Sequence, residues 1–146
     1  MRKRITFAWV TSPSRGEVYR IDPKSNIVAA TIGLLHRQSR FITSAEGSIW
    51  VLNEADGTVQ RIDAGSDNVI ATIAAGIPGA YGDLSAGGGY VWANAPFVSA
   101  VQIDPATNRV VRRFKSRDRT FDTRYGAGSL WIAGASGVLR IAVPSN

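Results

Sequence analysis

The chain has no cysteine, one histidine and one methionine in 146 residues. Disulfides, thiolate metal sites and cysteine nucleophiles are excluded, because no thiol exists to form them. A zinc centre built on several histidines is excluded within this chain as well, since His36 stands alone. Long apolar runs are also missing. Nothing approaches the roughly 20 residues of a membrane-spanning helix, and no membrane partner is expected. Arg2, Lys3 and Arg4 resemble the basic start of a leader, but the stretch from Ile5 to Val10 falls short of the roughly 7 to 15 apolar residues a signal peptide uses. No signal peptide is expected in this chain, and composition assigns no compartment. What is present is a 45% apolar share, 15 glycines and a net charge of +6, enough for a sizeable core in one domain spanning 1–146.

A repeat organises the whole chain. Tryptophans fall at Trp9, Trp50, Trp92 and Trp131, at spacings of 41, 42 and 39 residues. A second marker runs in phase: VYRI at Val18–Ile21, VQRI at Val59–Ile62, AVQI at Ala100–Ile103 and VLRI at Val138–Ile141. Three copies continue through Asp22, Asp63 and Asp104 into a turn and then an apolar stretch, IVAATI, NVIATI or RVVRRF. Each unit reads as four short strands, rich in β-branched and aromatic residues and punctuated by Gly, Asn, Asp and Pro. In the Trp strand both parities are apolar, Ile49 and Val51 on one side and Trp50 on the other. Such a sheet is covered on both faces, which radial stacking of blades provides.

The expected fold is therefore all-β, a β-propeller arc of about three and a half to four four-stranded blades. The repeats span approximately 1–32, 40–73, 82–114 and 121–146. A β-trefoil is the alternative, but it needs three units where four are counted. Only Met1 to Lys3 remain for the innermost strand of the first blade, and the last copy reaches Asn146 where its outermost strand would begin. An arc exposes both end faces, so copies of the chain are expected to associate head to tail into a ring of about seven or eight blades, or else to aggregate.

Gly47 to Ile73, GSIWVLNEADGTVQRIDAGSDNVIATI, and Gly88 to Val111, GGYVWANAPFVSAVQIDPATNRVV, carry a recognisable pattern. They resemble the blade repeat of the YVTN-type and virginiamycin B lyase-like β-propellers. That resemblance implies a ring of six or seven blades. For the streptogramin lyases of the family it also implies ring opening of a cyclic depsipeptide by elimination, with a histidine base, acidic residues and a divalent metal. No histidine lies in a late blade of this chain, so the lyase residues have no counterpart to carry over.

Residues present in every blade are read as scaffold, and residues that break the repeat as candidates for function. Asp22, Asp63 and Asp104 recur, two of them before proline, and are read as turn formers. Arg20, Arg61 and Arg140 also recur and are read as solvated or strand-pairing. The exceptions gather on one loop face: His36, Arg37 and Arg40; Tyr81 and Asp83; Arg117, Asp118 and Arg119; with Arg15, Glu54, Asp56, Asn94 and Phe97 in shorter loops. Asp83 and Asp122 stand nine residues before their tryptophans, at the channel mouth, where the other full blade has Phe41. With Arg124 they are candidates for binding a polar ligand or a divalent metal, the one cofactor considered. His36 as a general base would look to Asp83 or Glu54 for a partner.

Seven basic residues between Arg109 and Arg124, against Asp118 and Asp122, give a net +5, interleaved with Phe114, Phe121 and Tyr125. This strip would suit a polyanion or single-stranded nucleic acid. Gly87 to Gly89 is not a phosphate loop, since a strand follows it. Taken together, these features lead to the expectation of a non-catalytic propeller segment that binds a small polar ligand or a protein through the loop face. Part of a metal-assisted lyase or hydrolase is the alternative, and polyanion binding a second one.

Overall fold

The computed structural model describes residues 6–77 and 81–144. Its strands form four antiparallel sheets, each confined to one sequence repeat. The first holds β1 (Ala8–Ser12), β2 (Glu17–Asp22) and β3 (Ile27–Gly33). The second holds β4 (Ser39–Ala45), β5 (Ser48–Asn53), β6 (Thr58–Asp63) and β7 (Val69–Ala74). The third holds β8 (Asp83–Gly87), β9 (Tyr90–Ala95), β10 (Val98–Asp104) and β11 (Arg109–Lys115), and the fourth β12 (Thr120–Gly126), β13 (Ser129–Gly134) and β14 (Gly137–Ala142). This is a β-propeller arc, not a trefoil. The two middle blades have four strands. Among the described residues the first lacks an innermost strand and the last an outermost one, and the expected Met1 to Lys3 strand lies outside the described residues. No helix among the described residues is long and apolar enough to cross a membrane.

Each blade is a meander in sequence order, because its turns are short and sterically prepared. Asp22, Asp63 and Asp104 each accept an N–H from two residues on, Lys24, Gly65 and Ala106, at 2.9, 3.0 and 2.8 Å. These are the side-chain-capped turns expected of Asp at that position. The tryptophans act locally as well as in the core. The indole N–H of Trp50, Trp92 and Trp131 reaches the carbonyl five residues earlier, on Ala45, Gly87 and Gly126, and so ties the first hairpin of each blade.

The two faces of each sheet differ in kind, and blade packs on blade through unlike faces. Trp50 packs with Leu84, Val91, Ala93, Val101 and Ile103 of the third blade, and Trp92 with Leu130 and Ile132 of the fourth. Trp9 lies against Ile49, Val51 and Ile62 of the second. Trp50 and Trp92 are fully buried, whereas Trp131, with no following blade among the described residues, is 38% exposed. The innermost strands β4, β8 and β12 run side by side along the channel. Gly87 and Gly88 sit against the Tyr125 ring, where a Cβ would come within 2.5 and 2.6 Å, so only glycine lets the third and fourth blades close there.

The recurring arginines are not simply solvated. Arg61 lies over the Trp50 ring, 4.7 Å from its centroid, and its Nε donates to Ser48 Oγ at 2.8 Å. Its Nη1 crosses to the next blade and donates to the Pro105 carbonyl at 2.6 Å and to Asn108 Oδ1 at 2.7 Å. Arg20 makes the corresponding crossing, its guanidinium 2.9 Å from the Asp67 carboxylate. All three recurring arginines pair within their sheets, as read; for Arg20 and Arg61 the reading as solvated is corrected, since each also reaches a turn of the next blade.

The burial difference predicts unequal costs for the same substitution. Trp92→Ala should lower unfolding free energy by about 3–5 kcal/mol, and Trp131→Ala by clearly less, measured by urea denaturation. Equal losses would show that the blade junction does not set the core.

Candidate functional site

The innermost strands carry the side chains that change from blade to blade. In register, Phe41 faces Leu52, Asp83 faces Asn94 and Asp122 faces Ala133. The apolar pair of the second blade thus becomes polar in the third. Phe41 packs against the core beneath Trp50, whereas Asp83 turns toward the fourth blade. There its carboxylate accepts the Thr123 N–H at 3.2 Å and a hydrogen bond from the Arg124 guanidinium, which also lies 2.5 Å from Asp122 Oδ1. Burial, and a hydrogen bond with Asp122, push the Asp83 carboxyl up to about 6, against the lowering effect of Thr123 and Arg124. Asn94 beside it is fully buried, with neither amide atom partnered among the described residues. Three of the expected site residues, Asp83, Asp122 and Arg124, therefore meet across a blade junction. Arg124 occupies the position between the two carboxylates, so a divalent cation there would have to displace it. Among the described residues no group of three or more His, Asp or Glu side chains gathers to hold a metal.

The other candidates lie around this cluster on the loop face. His36 does not meet Asp83 or Glu54. Its Nε2 lies 2.7 Å from Asp56 Oδ2, in the turn between β5 and β6. Burial opposes ionisation of Asp56, but hydrogen bonds from Thr58 and the His36 contact outweigh it and lower its pKa. Gly57 makes that turn possible: at φ 70° its backbone abuts Ile77, and a Cβ would fall 2.8 Å from that residue's carbonyl. Glu54 is buried and accepts the Tyr81 N–H at 2.9 Å, with Arg40 Nε at 3.5 Å. Arg40 belongs to β4 and Asn94 to β9, so neither is a loop residue. The turn pairing of Tyr81 with Glu54 holds the Tyr81 backbone at φ 73° and leaves its ring 67% exposed.

Arg37, Arg117 and Arg119 are exposed on the same face. Arg119 lies 5.9 Å over the Phe121 ring, and Asp118 between them is tied to Ser136 by its N–H and hydroxyl at 2.8 and 2.5 Å, which lowers the Asp118 pKa. Beside them is a cavity of about 240 Å³ with a mixed lining, Ser99, Ser116, Asp118, Thr120 and Ser136 together with Ile132, Val138 and Leu139. Ser99 Oγ is buried there without a hydrogen-bond partner among the described residues. The basic strip is dispersed by the fold. Arg109, Arg112, Arg113 and Lys115 lie on the outer strand β11, Arg117 and Arg119 on the loop face, and Arg124 at the channel. Arg112 stacks on Phe114, and Arg113 donates to the Ala75 carbonyl.

The fold places the chain in the β-propeller class. Solved structures share that architecture. Hydrazine synthase from Kuenenia stuttgartiensis superposes with a TM-score of 0.71 at 15% identity, over 97% of this chain and 47% of that one. BamB from Moraxella catarrhalis gives 0.71 at 12%, over 94% and 40%. The WD40 β-propeller domain of Doa1 gives 0.73 at 10%, over 93% and 46%. The chain spans less than half the length of each, and at these identities the likeness is one of fold. No protein-family model matches the chain, and no curated protein matches it in sequence. The comparisons support a propeller fold and do not carry the likeness as far as the YVTN-type or virginiamycin B lyase-like repeat.

The raised Asp83 pKa sets a pH dependence. A carboxyl that protonates at about 6 when folded and near 3.8 when unfolded favours the native state most below the lower value, and that contribution is lost as pH rises to about 6. Asp83→Asn should therefore flatten the change of urea midpoint between about pH 4 and pH 6. A variant as steep as the parent would place the proton elsewhere.

Proposed function

We propose that this chain is a non-catalytic binding segment of a β-propeller that engages a protein or peptide through its loop face. One observation carries the reading. Leu35, Tyr81, Phe97 and Phe121 come from four different connections and strand ends on that face, yet all are large, apolar and exposed, with Tyr81 at 67% and Phe97 at 59%. Arg37, Arg40, Arg117 and Arg119 stand among them. Exposed aromatics interspersed with arginine are the composition of protein-binding hot spots, where a stacked ring gives area and a guanidinium gives direction. The basic surround suits an acidic partner.

A small polar ligand is a second reading, favoured by the Ser99 and Thr120 hydroxyls in the cavity. Self-association is the other partnership we propose, because the end faces leave Val10, Trp131 and Val138 exposed.

Panning a displayed library of acidic peptides against the purified chain tests the main reading. Selected peptides should lose about tenfold in affinity, a hot-spot loss of roughly 1–2 kcal/mol, on Tyr81→Ala or Phe97→Ala, with circular dichroism unchanged. Failure to enrich any binder, or binders indifferent to both substitutions, would refute the face.

A further inference from the structure

The blade junctions follow a rule that leaves one donor and one acceptor unmatched, and we propose that these two meet between copies of the chain: Arg140 of one copy bolts onto the Pro23–Asn26 turn of another. The donor half of the bolt is an arginine lying over an aromatic ring of its own blade: Arg20 over Phe7, at 4.5 Å, and Arg61 over Trp50, in the latter case with Nε also on a serine, Ser48. Arg140 repeats the Arg61 arrangement over Trp131, 5.4 Å from the ring centroid, with Nε on Ser129 Oγ at 2.9 Å. The acceptor half is the turn between the third and fourth strands of the following blade. Arg61 finds it in Asp104–Asn108, and Arg20 finds it in Asp63–Asn68. The third blade has Gln102 at the arginine position, and the fourth blade, which follows it, has no such turn among the described residues.

Donor and acceptor thus occur together at both interior junctions where either is found. Arg140 is the remaining donor, with neither terminal nitrogen of its guanidinium bonded among the described residues. The turn of the first blade is the remaining acceptor. Asp22-Pro23-Lys24-Ser25-Asn26 reproduces Asp104-Pro105-Ala106-Thr107-Asn108 in sequence and in shape. Asn26 and Asn108 both have φ 56°, and their N–H groups reach the carbonyls of Asp22 and Asp104 at 2.8 and 2.9 Å. Ser25 and Thr107 close the same hydroxyl contact on the aspartate, at 3.0 and 2.9 Å. No donor reaches Asn26 among the described residues.

The apolar surfaces beside this pair match as well. Trp131 and Val138 lie on the donor face, and Val10, Tyr19 and Ile21 on the acceptor face occupy the positions that Ala93, Val101 and Ile103 hold against Trp50. Because donor and acceptor sit at opposite ends of one arc, the contact is head to tail. Two copies of four blades close an eight-bladed ring, within the usual range of about four to eight.

This junction rests on the proposal that copies associate, and the variants separate the two. The chain should run in multi-angle light scattering at twice its mass at micromolar concentration. Arg140→Glu should raise the dissociation constant at least about tenfold, the loss of charge-assisted hydrogen bonds. Asn26→Asp should lower it, because Asp67, at the same turn position with φ 60°, already accepts from Arg20. The double variant should be the weakest, because it sets two carboxylates against each other. A monomeric parent chain overturns association and junction alike. A dimer indifferent to residues 26 and 140 overturns the junction alone, and an open-ended polymer overturns the closed eight-bladed ring.

Discussion

Every sheet in this protein has two apolar faces, and neither can be left in water. A strand such as β5 places Trp50 on one side and Ile49 and Val51 on the other, all buried, and no single sheet can shelter both. The sheets therefore shelter one another. The two faces are unlike, an aromatic one and an aliphatic one, so stacking has a direction: the tryptophan of each blade enters the aliphatic face of the next. From this follow the order of blades, the side-by-side run of β4, β8 and β12 along the channel, and the different character of the two ends.

The arginine bolt depends on that same direction. An arginine flattened on an aromatic ring of its own blade, Phe7 for Arg20 and Trp50 for Arg61, is held at the rim of the junction and reaches onward to the next blade. The turn it meets presents a carbonyl and an Asn or Asp oxygen, with the latter residue in the left-handed conformation. For Arg61, ring stacking and the Ser48 contact fix the guanidinium before the neighbour arrives, so less side-chain freedom is lost on pairing. Burial holds down the pKa of Arg61, opposed by the nearby Asp63 and Glu46 charges, and hydrogen bonds to the neighbouring turn satisfy the partly desolvated group.

The loop face is where the repeat loosens. Along the inner strands Phe41 gives way to Asp83 and then Asp122, and the channel changes from an apolar wall to a linked set of charges. Arg124 holds the two carboxylates together and joins the third blade to the fourth, so the cluster is at once a charged surface and a structural tie. Farther out, the connections carry exposed aromatic and basic side chains that contribute little to the cores.

The period of tryptophans, the in-phase VxRI segments and the Asp turns made the blades legible from the sequence, because each is set by neighbours within one hairpin and repeats wherever that hairpin does. The meeting of Asp83, Asp122 and Arg124 was partly legible, since equal distances from the tryptophans put both carboxylates at one level of the channel. Other pairings were not. His36 meets Asp56 in place of Asp83 or Glu54, and Asn94 is buried in a strand, because loop conformation and register decide them. The basic run from Arg109 to Arg124 looked continuous, but a strand, a connection and an inner strand carry it to three separate places. The blade-to-blade arginines were hidden most completely. Arg61 and Asn108 are 47 residues apart, and their encounter exists only once two finished sheets have stacked. Sequence by itself determined what recurs inside each blade, where interactions are local. Tertiary structure decided which side chains of different blades touch, because that depends on the packing of surfaces that no spacing along the chain records.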